Sequence, residues 1–176
     1  MDTPRFCLAA FLALFQVAHA QWKDWDYDLD QERKPWAEMQ LQLPPYPKNE
    51  NLVALDMGVN TANRYLIDLP SVSVGEDGVV RYTLVVRTGG GATNVSFEGL
   101  RCDTTSQRVY AFGHPGSQWS RARISEWRDI VYREVNGHHY VLSTNYLCFG
   151  MRQRTARSLR EIVSLLKNGP QRSGGN

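Results

Sequence analysis

Apolar and polar positions alternate along residues 52–112 of this chain, whereas near the C-terminus the apolar ones recur at helical spacing. The clearest alternation is Val79-Val80-Arg81-Tyr82-Thr83-Leu84-Val85-Val86-Arg87. It places Val80, Tyr82, Leu84 and Val86 on one face and Val79, Arg81, Thr83, Val85 and Arg87 on the other. Period two with β-branched and aromatic residues predicts a strand. Glu76-Asp77-Gly78 reads as a tight turn, so residues 71–74 are expected to pair back as a hairpin arm. Gly89-Gly90-Gly91 breaks the run, and residues 95–102 and 108–112 read as two further strands around the polar Asp103-Thr104-Thr105-Ser106. Strands joined by short turns imply an antiparallel sheet.

Residues 155–167 carry Leu159, Ile162, Val163, Leu165 and Leu166 on one broad side, the stripe of an amphipathic helix. Ser158 with Glu161 makes a capping box, with Thr155 the rival start. Asn168-Gly169-Pro170 supplies the stop. Between sheet and helix, Trp119, Trp127 and Tyr132 punctuate a charged stretch, and residues 139–149 read as a short helix carrying Cys148. The expected fold is α+β: one domain, an antiparallel sheet of about five strands packed by the C-terminal helix, and one disulfide.

The first residues change what this domain can be. Arg5 precedes the apolar run from Phe6 to Phe15, and Ala18-His19-Ala20 supplies small residues before Gln21. A positive start, a short greasy core and a small-x-small end predict a secretory signal peptide over residues 1–20, cut between Ala20 and Gln21. The run is too short for a membrane anchor, and nothing later approaches the ~20 apolar residues a spanning helix needs. Residues 21–42 follow as an acidic aromatic arm, expected to be loosely held. Leu43-Pro44-Pro45-Tyr46-Pro47 opens the globular domain, residues 43–168, as a stiff extended stretch, and residues 169–176 are expected to be a disordered tail.

Cleavage would leave two cysteines, Cys102 and Cys148. In an oxidising compartment these are expected to pair as a structural disulfide, since their separation is unlike the C-x-x-C of redox sites. Charge is balanced overall but unevenly spread: residues 21–56 hold eight acids and four bases, residues 121–172 ten bases and four acids. This favours an unknown envelope protein or an anionic envelope polymer as partner, and export argues against nucleic acid.

Ser73-Val74-Gly75-Glu76-Asp77-Gly78-Val79-Val80-Arg81-Tyr82 resembles the central segment of the cryptic neisserial protein-like family, as do Phe97-Glu98-Gly99-Leu100-Arg101-Cys102, Tyr110-Ala111-Phe112-Gly113, Trp119-Ser120 and Glu126-Trp127. The likeness runs from about residue 40 to residue 168. It implies an exported proteobacterial envelope protein and supplies neither a reaction nor catalytic residues. Some members are lipoproteins. Here Cys7 sits inside the apolar run without a lipobox, which argues against a lipid anchor and for a soluble periplasmic form.

No nucleophile elbow or phosphate-binding loop is present, and no cofactor is expected. Asp24, Asp26, Asp28 and Asp30 lack the glycine and glutamate of a calcium loop. His138 and His139, as neighbours, point apart on either a helix or a strand and read as exposed loop or turn residues rather than metal ligands. Glu98, Glu126 and Asp129 are the domain-central carboxylates. Either they gather in a cleft as the acid and base of a polymer hydrolase, or they form surface or cross-strand ion pairs. Tyr110, Trp119 and Trp127, with Phe112, are the aromatic set expected to fill the core or form an interaction surface. The leading expectation is a non-catalytic interaction or structural protein of the periplasm.

Overall fold

The computed structural model describes residues 35–58, 61–131, 137–150 and 155–170. The signal peptide, its cut at Ala20 and Gln21, the arm up to residue 34 and the tail from residue 171 lie outside the described residues.

The alternating segments form a seven-stranded antiparallel meander: β1 (Leu52–Ala54), β2 (Arg64–Val74), β3 (Val79–Arg87), β4 (Thr93–Arg101), β5 (Ser106–His114) and β6 (Gln118–Arg121) lie side by side in chain order. The short β7 (Arg128–Asp129) pairs with the start of β5 on the side where β6 pairs with its end. The class is α+β with one disulfide, and the sheet is wider than the expected five strands. β1, β6 and β7 have two to four residues each, too few to show a period.

β2 begins well before the predicted hairpin arm because a bulge interrupts it between Asp68 and Ser73. Pro70 lies there and has no N–H to give the ladder. The Ser71 hydroxyl fills the gap, donating to the Asp68 carbonyl at 2.6 Å and accepting from Thr83 N–H at 2.7 Å. The β2–β3 turn needs Gly78, at φ +76°, where any side chain would be strained.

β3 is buried along most of its length because both sheet faces are covered. On the first face Ile67, Val80, Tyr82, Leu84 and Leu100 meet Leu142, Tyr146, Leu147, Ile162 and Leu166. The last five come from the π-helical turn (Leu142–Leu147) that continues α1 (His138–Val141), and from α2 (Leu159–Asn168). α2 starts at the predicted capping box: Ser158 Oγ accepts from Glu161 N–H, and Glu161 returns a bond to Ser158 N–H. Cys102, just beyond β4, is bonded to Cys148, just beyond the π turn, with Cα atoms 5.6 Å apart.

The second face is covered by extended chain rather than helix. Leu41, Leu43 and Tyr46 pack with Trp119 over Leu66, Val85, Val95, Phe97 and Ala111. Trp119 Nε1 donates to the Pro44 carbonyl at 3.0 Å. Residues 36–42, read in the sequence as the end of the arm, thus lie along the sheet with the proline stretch. No helix among the described residues is long and apolar enough to cross a membrane.

Candidate functional site

Three polar constellations stand out, one buried on each face and one open at the sheet margin.

The first centres on Glu98. Opposite Tyr82 in the β3–β4 register, its side chain lies on the helix-covered face, almost wholly buried. His139 Nε2 lies 2.8 Å from Oε2, Tyr82 Oη donates to the same oxygen at 3.2 Å, and Ser96 Oγ donates to Oε1 at 2.5 Å. Burial alone would raise the Glu98 pKa, but the bond and charge of His139, with help from Ser96 and His138, hold it below the usual carboxylate range. Burial and the adjacent carboxylate push the Tyr82 phenol well above its ordinary value. His138 stacks on Tyr65 with ring centroids 4.9 Å apart, and burial, then His139, lower its pKa to about 4. Its Nδ1 is buried without a hydrogen-bond partner among the described residues.

This corrects the sequence reading of the two histidines: they begin α1, His138 buried and His139 largely so, rather than standing in an exposed loop. Among the described residues no cluster of three or more acidic, histidine or cysteine side chains is placed to hold a metal. Nor does Ser96 stand in a serine–imidazole pair. A nucleophilic serine gives its proton to an imidazole that a carboxylate orients, whereas Ser96 and His139 both bond the carboxylate itself.

The second constellation lies on the opposite face. Asp77 binds Arg81 through both oxygens, at 3.1 and 2.6 Å, and accepts from Met39 N–H at 2.9 Å. Glu38 joins Arg108 at 2.6 Å and the Tyr110 hydroxyl, with Arg81 at 3.6 Å. Burial resists the Asp77 charge, but Arg81 and the backbone donors outweigh it and lower its pKa. Arg101 sits 3.7 Å above the Trp36 ring, which meets Trp127 edge-on at 6.0 Å. Of the aromatic candidates, Tyr110 is therefore buried across Gly99, while Trp119 and Trp127 are half-buried against residues 36–47. Only Phe112 of the set is well exposed.

The third is an open groove of about 700 Å³ at the β5–β6 margin. Phe112 faces Ser96 on one side and Ser120 on the other, so the groove shares the face of Glu98. Val109, Phe112 and Ile124 give it an apolar floor and lip, with Phe112 46% and Ile124 67% exposed. Arg121, Arg123 and Arg128 line it with Glu126 as the one acid, and none of the three arginines forms an ion pair among the described residues. In the sequence these arginines were only part of a broad basic half.

Glu126 and Asp129 are exposed, Glu98 is buried, and the groove contains Glu126 alone of the three. The gathered pair of carboxylates that a polymer hydrolase would need is therefore not formed among the described residues, because Glu98 is spent on His139, Tyr82 and Ser96.

A family model matches residues 31–167, spanning the sheet, both polar networks, the groove and the disulfide. The chain belongs to the CNP1-like family. It is 25% identical over 112 residues to cryptic neisserial protein 1 of Neisseria gonorrhoeae, covering 55% of each chain. This CNP1-like chain thus spans about half the length of the curated relative it matches. No solved structure matches it.

Proposed function

We propose that this CNP1-like protein is an exported, non-catalytic binding protein of the cell envelope that works through the arginine-lined groove at the β5–β6 margin. The observation that carries the reading is the combination at one open groove of Arg123 and Arg128, neither in an ion pair among the described residues, with the exposed side chains of Phe112 and Ile124. Arginine is the side chain suited to carboxylate and phosphate recognition, and exposed apolar groups beside it mark an interaction surface rather than a solvated face. The signal-like start at residues 1–20 and the disulfide agree with a periplasmic location after cleavage between Ala20 and Gln21. The absence of a lipobox favours a form without a lipid anchor.

Co-sedimentation with purified sacculi, outer-membrane fragments and soluble periplasmic extract tests this. The protein should distribute into one of these fractions at low salt. An Arg123→Glu, Arg128→Glu variant with an unchanged melting temperature should lose that distribution. Equal behaviour of the two forms in every fraction would remove the groove as the binding site. Intact mass should show a chain beginning at Gln21 without an acyl group.

A further inference from the structure

Resting on that reading of the groove, we infer that its partner is an acidic, extended peptide segment of another protein, which adds to the sheet as a new strand along β6.

The first observation is the backbone. Among the described residues β6 is the last strand on its side of the sheet, hydrogen-bonded to β5 alone. In an antiparallel strand alternate residues turn both N–H and C=O outward, so β6 presents an unpaired ladder edge. Gln118, Ser120 and Arg121 are exposed along it.

The second observation is that this edge is held rigidly. Trp119 points to the other face, bonds Pro44 and packs beside Tyr46 and Phe97. Beyond the strand, Ala122 N–H continues the register onto the Tyr110 carbonyl at 2.9 Å. A pre-formed edge spares an incoming strand part of the ordering cost.

The third is what flanks the edge. A strand laid beside β6 carries alternate side chains over the groove face, where Arg123 and Arg128 outnumber Glu126 and where Phe112 and Ile124 are exposed. Acidic residues would meet the guanidinium groups, and interspersed apolar ones would cover the two hydrophobic side chains. A lipid headgroup or a polysaccharide would satisfy the arginines but has no backbone to complete the ladder.

The test uses the disulfide-bonded protein and a fluorescent peptide alternating aspartate with valine and phenylalanine, read by anisotropy. Two controls accompany it: the same peptide N-methylated at alternate amides, and phosphatidylglycerol vesicles. The inference expects saturable binding that weakens about tenfold or more on N-methylation of one alternate set, on Arg123→Glu with Arg128→Glu, and at high salt. Neither arginine makes a described ion pair, so this variant should keep the parent melting temperature. Peptide binding that needs the arginines but ignores N-methylation overturns strand addition and leaves the groove as a charged binding site. Vesicle binding through the arginines without peptide binding overturns the peptide partner while leaving the proposed function. If neither probe binds, the inference fails, and the sedimentation experiment alone then decides the broader reading.

Discussion

His139 Nε2 lies 2.8 Å from the Glu98 carboxylate although 41 residues separate them in the chain. The contact ties the first turn of α1 to the centre of the sheet, and it is almost fully shielded from water. Removing a buried, bonded charge leaves its donors unsatisfied. Glu98→Ala should cost about 3 kcal/mol in urea unfolding at neutral pH, and Glu98→Gln less. The Glu98 carboxyl is more acidic folded than unfolded. Its contribution is therefore present above the unfolded carboxylate pKa and is lost as pH falls through the lower folded value. The gap between wild type and Glu98→Gln should accordingly narrow in acid.

His138 sets a second pH dependence in a different window. Its pKa falls from 6.5 to about 4 on folding, so between those values the unfolded chain binds the extra proton. Stability should fall as pH drops through this interval, by about 3 kcal/mol across it. His138→Phe preserves a ring beside Tyr65 and should flatten that slope while changing neutral stability little. Equally steep curves for both forms would show that another group sets the acid sensitivity.

Only part of this was legible in advance. The strand β3 announced itself because its period-two pattern is local, and the Ser158–Glu161 box because a cap needs only neighbours three positions apart. The bulge in β2 hid half of that strand, since Pro70 and Ser71 break the alternation that marks a strand. The edge strands carry no pattern because backbone pairing, not side-chain burial, defines them. The Glu98–His139 pair and the arginine groove join residues from separate elements, and nothing in the local sequence marks them.

The disulfide closes a span of 46 residues between the end of β4 and the turn before α2. In the chain-entropy picture a closure of that length stabilises the fold by about 4 kcal/mol. Replacing Cys102 and Cys148 together by alanine should lower the urea midpoint accordingly and steepen the slope, because the denatured chain freed of its cross-link exposes more surface.

Gly99 predicts a steric effect. A Cβ built there would collide with the Tyr110 hydroxyl and come within 2.8 Å of its ring. Gly99→Ala should therefore displace Tyr110 from Glu38 and destabilise by about 1–3 kcal/mol. Adding Tyr110→Phe should recover part of this loss, so that the two changes are non-additive in thermal melts.

The strip of extended chain over the second face has a practical corollary for anyone handling the gene. A recombinant form begun at the proline stretch would lack Glu38 and Trp36, stripping Arg81 and Arg108 of a shared counter-ion and Arg101 of the ring beneath it. Such a shortened specimen would bare Arg108, while Arg81 keeps Asp77 and Arg101 keeps Asp103, and assays on it would report a spurious affinity for acids on the wrong side of the sheet.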